Sequence, residues 1–205
     1  MIIRHAGKAP VIDAGAFIAP DATLCGDVHI GRGSRIMHGA RLVAEAGGRI
    51  DIGETCIVLE NAVIRATAVH SCRIGDHTLI GPNAHVVGAT IVGRVFIATG
   101  AAVFHGAYLA ENSEVRINGT VHIGTRLEAG ATVPIGWIAV GDPARILPPG
   151  EHEAIWAVQR PLDFPALVYG VDRDGPDVLA AITRQMSEWL EAHMADEVIR
   201  AADFA

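Results

Sequence analysis

Aliphatic residues recur at every sixth position over most of the first two thirds of the chain. The period resumes after two interruptions, and one interval, from Val86 to Ile91, is a residue short. The series runs Ile12, Ile18, Leu24, Ile30, Ile36, Leu42, Ile52, Val58, Ile64, Ile74, Ile80, Val86, Ile91, Ile97, Val103, Leu109, Val115, Val121, Leu127 and Val133. A small residue follows most of them by four positions, as at Ala40, Ala62 and Ala84. A short repeat sustained over this length predicts a solenoid built from stacked, similar units.

Three six-residue units make one triangular turn of a parallel β-helix. The aliphatic side chain then points to the axis from a flat face, and the small residue points inward where the interior is too narrow for a larger one. Glycine and asparagine relieve the corners, where the backbone needs a positive φ. We therefore expect an all-β fold, a parallel β-helix of hexapeptide repeats over residues 1–147, with an α-helical segment after it.

Residues 43–51 and 65–73 break the rhythm, so we expect two loops that project from one corner, where functional residues are often carried. Residues 148–205 form a C-terminal extension, with a short helix over 151–159 and a loop after it. A second helix is predicted from Pro176, and its apolar face comprises Leu179, Ile182, Met186, Leu190 and Met194. This face needs a partner, either the coil of its own chain or a neighbouring subunit.

Composition excludes several functional classes. The formal net charge of −7 over 205 residues leaves no basic stripe for nucleic acid. Three cysteines without CxxC spacing argue against a disulfide framework and favour a reducing compartment, so a cytoplasmic location is expected. The N-terminus has no apolar signal region, and glycine and charge interrupt the apolar span 86–109, so no association with membranes is expected.

Three stretches resemble the γ-class carbonic anhydrases, within the hexapeptide-repeat superfamily. They are GAFIAPDATLCGDVHIGRGSRIMHGARL, GRIDIGETCIVLENAVIRAT and the closing turn GDPA, and the resemblance covers roughly residues 10–147. It implies a left-handed β-helix, a homotrimer with active sites between subunits, and a C-terminal helix packed along the coil.

The resembling family binds zinc through three histidines, and the repeat register places their equivalents at Arg65, Pro82 and Val87. None of these side chains is a metal ligand of the kind that zinc uses. Of the family's neighbouring polar residues, only an acid is kept in kind, at Glu60. We therefore predict neither zinc at that site nor CO2 hydration, because zinc needs three protein ligands to activate its water.

Histidine could replace the lost chemistry. His85 lies between two of the vacated positions, His105 lies roughly one coil further on, and His70 lies in the second loop. A displaced metal site of His70, His85 and His105 is one interpretation, and a catalytic base is another, because a neutral imidazole serves both roles. The third is that all three are exposed or interfacial histidines without a role.

Arg65 also has two interpretations. Its guanidinium could substitute for the metal's charge and, with Glu60 and His85, hold a carboxylate or phosphate of a small ligand. Alternatively it forms a structural salt bridge to Glu60 or Glu45 across the trimer interface.

Three functions follow from these alternatives. The first is a trimeric γ-carbonic-anhydrase-like protein without the zinc site, which binds a small, anionic ligand in the crevice between subunits. The second is a hexapeptide-type acyltransferase that uses acyl-CoA and a histidine base. The third is a metal-dependent hydrolase or thioesterase with displaced histidine ligands. No cofactor is predicted for the first, and zinc is the alternative.

Overall fold

The protein is a parallel β-solenoid of about eight turns with a short helical segment at its C-terminal end. The structure, a computed structural model, describes residues 1–199. Each turn contributes one short strand to each of three faces, so the sixfold period of the sequence becomes a threefold period in space. The predicted all-β, parallel fold is confirmed.

Ten strands form the first face. Eight are mutually parallel, and the last two named here close the sheet as antiparallel edges. They are Ile2–Arg4, Thr23–Cys25, Arg41–Ala44, Val63–Ala66, His85–Val87, Ala102–Val103, Thr120–Val121, Ile138–Val140, Arg145–Leu147 and Glu197–Ile199.

The second and third faces have seven parallel strands each. The second face comprises Val11–Ile12, Val28–Ile30, Ile50–Ile52, Cys72–Ile74, Thr90–Ile91, Tyr108–Leu109 and Arg126–Leu127. The third face comprises Phe17–Ile18, Arg35–Ile36, Ile57–Val58, Leu79–Ile80, Phe96–Ile97, Glu114–Val115 and Thr132–Val133. Going along the chain, each turn passes from the first face to the second, then to the third.

The repeat positions fill the interior. Leu24, Ile64 and Ile80 are fully buried, and so are the small residues Ala40 and Ala62. Burying one large aliphatic side chain contributes roughly 1.5–3 kcal/mol, and this stack of similar residues continues through the whole coil. The core is therefore one continuous column along the solenoid axis.

Close stacking of the turns explains the corner residues. Asn61, Asn83 and Asn118 have φ near +57°, +57° and +55°, a conformation that asparagine adopts more readily than most residues. A Cβ added to Gly75 would lie 1.6 Å from the carbonyl oxygen of Val92 in the next turn. That position excludes every side chain.

Both predicted interruptions are loops, and they project from the corner between the first and second faces. They are shorter than the sequence indicated, covering 45–49 and 67–71, because the flanking strands continue to Ala44 and Ala66. The two loops stack on each other, since a Cβ on Gly48 would lie 2.8 Å from the carbonyl oxygen of Thr67.

The C-terminal segment folds into three helices, named α1 (His152–Gln159), α2 (Phe164–Tyr169) and α3 (Val178–Leu190). Short 3-10 turns follow α1 at Arg160–Leu162 and α3 at Glu191–Ala195. The predicted helices match α1 and α3. Within the described residues, no helix is long and apolar enough to cross a bilayer.

Two features of this segment differ from the sequence prediction. The stretch expected to be a loop contains α2, which Asp163 caps by accepting from the backbone N–H of Ala166, and which Gly170 ends in the left-handed region. The strand Glu197–Ile199 was not predicted, and it returns the chain to the first strand of the coil. In addition, Leu179 and Met194 of the predicted apolar face are largely exposed.

Candidate functional site

A cavity of about 290 Å³ lies between the coil and the C-terminal helices, at the corner from which both loops project. We call it the corner pocket. Arg65, His85 and His105 line its coil side together with Glu45 of the first loop. Helices α2 and α3 supply an apolar wall, which comprises Phe164, Val168, Tyr169, Met186, Trp189 and Leu190.

Strand register positions the polar floor. Val63 pairs with His85 and Arg65 pairs with Val87, so Arg65 and His85 project from neighbouring strands on the outer side of the first face. His105 follows the next strand, at the corner where the chain turns towards the second face. Because inward and outward positions alternate along a strand, the buried Ile64 and Val86 fix this outward direction.

Arg65 is ion-paired with Glu45 in the first loop, and about a third of its side chain is exposed. The second carboxylate oxygen of Glu45 lies 2.8 Å from Nε2 of His193, after α3. Glu45 therefore uses both oxygens within the protein. A guanidinium has five N–H donors, so Arg65 keeps donors for a molecule in the pocket.

The imidazoles on the pocket floor favour the neutral form. Burial, together with the nearby His70, His85 and Arg65, lowers the pKa of His105 to about 4. Burial, followed by the charge of Arg65, also lowers the pKa of His85. Nδ1 of His105 is buried without a hydrogen-bond partner among residues 1–199. Near neutral pH these rings are available as bases or as hydrogen-bond partners.

The positions that the resemblance assigns to the family's zinc ligands do not fit a zinc ion. Arg65 and Val87 lie side by side as register partners, one cationic and ion-paired, the other apolar and buried. Pro82 lies at a different corner, between the third and first faces. None of the three positions carries a histidine, cysteine or carboxylate side chain, so zinc has no ligand of its usual kinds there.

The three histidines predicted as a displaced metal site lie near one another, whereas Glu60 lies elsewhere. The rings of His70 and His105 meet edge to face with centroids 5.5 Å apart, and His85 lines the same pocket as His105. Their ligand nitrogens do not all lie within 4.8 Å of one another in the described structure, so the displaced metal site stays a prediction that needs side-chain movement.

Glu60 does not line the corner pocket of its own chain. It follows the third face, and its backbone carbonyl accepts from the N–H of Asn83 beside Pro82. Of the two salt bridges considered for Arg65, the structure contains the one to Glu45.

Sequence reasoning placed Met186 and Leu190 on an apolar helix face that needs a partner, but it did not identify the part of the pocket wall that α2 supplies. Tyr169 and Trp189 stack with ring centroids 6.3 Å apart, which joins α2 to α3 above the floor. The available signal was local: an aspartate cap, a proline in the first turn and a closing glycine bracket the six residues of α2. Six residues are too few for a hydrophobic period to show.

The chain is similar to known proteins over much of its length. No protein-family model matches the chain. It is 34% identical over 146 residues to "Gamma carbonic anhydrase 1, mitochondrial" of Arabidopsis thaliana, covering 68% of this chain and 50% of that protein. It is 30% identical over 125 residues to "Carnitine operon protein CaiE" of Escherichia coli K12, covering 53% of this chain and 64% of that protein.

The chain thus spans about half the length of the first of these relatives. Among solved structures, a putative acetyltransferase of Bacillus cereus aligns over 91% of this chain and 98% of its own, with a TM-score of 0.44 and 18% identity.

Proposed function

Because the chain belongs to the γ-carbonic-anhydrase-like hexapeptide-repeat proteins, we propose that it uses their scaffold to bind a small amphipathic anion and not to hydrate CO2. The observation that carries this proposal is Arg65, a cation on the polar floor of a pocket whose opposite wall is apolar. It occupies a position at which the resembling family has a zinc ligand, so a fixed positive charge takes the place of a metal.

The polar end of the ligand is a carboxylate or a similar anion. Arg65 is cationic at every physiological pH, and its planar donors match a carboxylate in a two-point contact. Its ion pair with Glu45 holds the guanidinium in place, as does the contact between Glu45 and His193. Neutral His85 and His105 add hydrogen-bond partners without adding a competing charge.

The remainder of the ligand is apolar. Aromatic and aliphatic side chains of α2 and α3 face the polar floor across the pocket, and the stacked Tyr169 and Trp189 give one wall a flat surface. Pockets with a mostly apolar lining and a few convergent polar groups are typical small-molecule sites.

The proposal includes a homotrimer, as the resemblance implies. The outer side of the third face carries the apolar side chains Ile57, Leu79 and Phe96 on three successive strands, and Ile57 and Phe96 are roughly two-fifths exposed. Contiguous apolar surface of this kind marks association sites. Glu60 and Pro82 lie at the corner beside this face, so they approach an Arg65 only if it belongs to a neighbouring subunit.

A second candidate is acyl transfer or thioester hydrolysis with a histidine base. The favouring observation is geometric: His85 and His105 line the same pocket, next to a cation that could hold a developing negative charge. In this case one imidazole would take the proton of the attacking hydroxyl or water.

Binding of octanoate and 1-octanol tests the first candidate. Titration calorimetry is expected to show that octanoate binds more tightly than octanol. Arg65→Gln should weaken the binding of octanoate roughly 10- to 100-fold, because a charge-assisted hydrogen bond contributes about 1.5–3 kcal/mol. The binding of octanol should be unchanged. Arg32→Gln is the matched control, since Arg32 also pairs with a glutamate but is well exposed. Equal losses for both ligands would contradict the role of Arg65.

Two further measurements separate the alternatives. Stopped-flow CO2 hydration by zinc-supplied protein should not exceed the buffer rate, and a rate well above it would overturn the loss of that activity. Acyl-CoA should leave the melting temperature unchanged under the first candidate, whereas stabilisation by acyl-CoA, through binding to the folded state, supports the second.

A further inference from the structure

A second group of polar side chains lies on the first turn of the coil, outside the corner pocket. His5 and Cys25 belong to the coil, and His193 and Asp196 belong to the C-terminal segment. Nearly 200 residues separate the first and last members, yet the ligand atoms that the four offer all lie within 4.8 Å of one another. We call this group the terminal cluster.

We propose that the terminal cluster is a structural binding site for one transition-metal dication of the zinc class. Two imidazoles, one thiol and one carboxylate form a mixed nitrogen, sulfur and oxygen set, which suits zinc and not magnesium or calcium. Four protein ligands leave no open position, which is the pattern of structural sites and not of catalytic ones. The proposal is independent of the ligand assigned to the corner pocket.

The present contacts show how near the cluster is to a coordination sphere. Oδ1 of Asp196 lies 2.6 Å from Nδ1 of His5, and Oδ2 lies 2.8 Å from Nδ1 of His193 and 3.8 Å from Sγ of Cys25. Metal–ligand bonds of 2.0–2.3 Å in a tetrahedron place ligand atoms about 3.3–3.8 Å apart. The carboxylate must therefore retreat by less than an ångström from the imidazoles.

Burial supplies a second argument. His5 is 1% exposed, and its Nδ1 faces the carboxylate of Asp196. Cys25 is 3% exposed. Placing a histidine and a thiol beside a carboxylate in the interior costs desolvation, and a bound dication would compensate that cost by direct bonds. His193 and Asp196 are about a quarter exposed, so an ion can enter from their side.

The surroundings of His193 match those of metal-bound histidines elsewhere. Such a histidine usually donates its second ring N–H to a carboxylate, which fixes the ring orientation. Nε2 of His193 already faces Glu45 at 2.8 Å, and Glu45 pairs with Arg65 in the corner pocket. The metal would tie the end of α3, and with it the pocket wall, to the first turn of the coil.

The test begins with metal-stripped full-length protein. Titration with zinc chloride against a chromophoric chelator is expected to show one equivalent per chain. Cobalt substitution should give the intense visible bands of tetrahedral Co²⁺ and a thiolate-to-cobalt charge-transfer band in the near ultraviolet. Binding of less than half an equivalent, or a cobalt spectrum without the thiolate band, would overturn the proposal.

Variants assign the ligands. Cys25→Ser should remove the charge-transfer band, and Asp196→Asn should lower the affinity for zinc at least tenfold. Glu45→Gln, behind the metal-bound histidine, should weaken zinc about tenfold. Cys56→Ser and His29→Asn are controls, because Cys56 faces the core and His29 pairs with Asp13 on the second face. Unchanged affinity in both Cys25→Ser and Asp196→Asn would refute this assignment.

The unmodified protein provides a readout that no folding defect can obscure. Zinc should slow amide hydrogen exchange in Ile2–Arg4 and Glu197–Ile199, the two strands that the cluster joins, relative to the metal-stripped protein. Exchange that is the same in both states shows that the cluster is a hydrogen-bonded network and not a metal site.

Discussion

Replacing His105 with asparagine should reduce the loss of stability that acid causes. The ring is buried against the coil, and its folded-state pKa of about 4 lies below the ordinary value of 6.5. The groups that face it and disfavour its charge are His70, His85 and Arg65. His105 is therefore neutral when folded at a pH at which the unfolded chain has already protonated it.

The sign and size follow from proton linkage. The unfolded state binds more protons between the two pKa values, so the free energy of unfolding falls as the pH drops from about 6.5 towards 4. A folded-state pKa about 2.5 below the ordinary value corresponds to a full contribution of about 3 kcal/mol. Roughly 2.5 kcal/mol of this is lost by pH 4.5. Above pH 7 the contribution is complete and no longer varies.

Urea unfolding at pH 7.5 and pH 4.5, at one fixed protein concentration, measures the effect. His105→Asn is expected to be less stable than the parent at pH 7.5 and to lose about 2.5 kcal/mol less on acidification. His77→Asn is the control, because His77 is exposed and its positive φ suits asparagine. If the parent and His105→Asn lose the same free energy between the two pH values, the burial argument is wrong.

Three further predictions concern the coil and the pocket. Gly75→Ala should prevent folding or lower the melting temperature sharply, because its methyl group would overlap the backbone of the next turn, whereas Gly150→Ala meets nothing within 4 Å and should melt like the parent. Ile64→Ala should lower the free energy of unfolding, measured with urea, by about 2–5 kcal/mol, because it leaves a cavity in the buried column. Val11 is more than half exposed, so Val11→Ala should lower it by less than about 1 kcal/mol. Similar losses in the two variants would contradict the inward position of Ile64. Trp189→Ala should weaken octanoate and octanol alike in calorimetry, because it removes apolar wall and no charge, and a loss confined to octanoate would contradict that role.

The repeat made the coil predictable from sequence. Each aliphatic position faces the axis for the same geometric reason in every turn. A position whose orientation is ambiguous can therefore be assigned from the equivalent positions in the turns above and below it. Together with the family resemblance, the same regularity led to Arg65, Pro82 and Val87 as the predicted equivalents of the zinc ligands, because the register is firm on both flanks. The interruptions at 43–51 and 65–73 were recognised as departures from that rhythm.

Outside the repeat, the sequence was less informative. The helix α2 was assigned to a loop because six residues carry no period, although its cap and closing glycine were visible. The strand Glu197–Ile199 has too few residues for its pairing with Ile2–Arg4 to be read from either segment. Glu60 and Arg65 were grouped by family resemblance, whereas the chain places them at different corners.

By itself, the sequence determined the architecture, because the fold depends on a local period that repeats along the chain. The assignment of Arg65, Pro82 and Val87 to the family's zinc-ligand positions also needs the resemblance, and it stays a prediction. Only the tertiary structure decided which residues form the corner pocket and the terminal cluster. The contact between Glu45 and His193 joins residues 148 apart, and it exists because α3 and the last strand fold back on the coil. Contacts of that kind depend on how two dissimilar surfaces pack against each other. The sequence of neither surface has a period from which the contacting residues could be predicted.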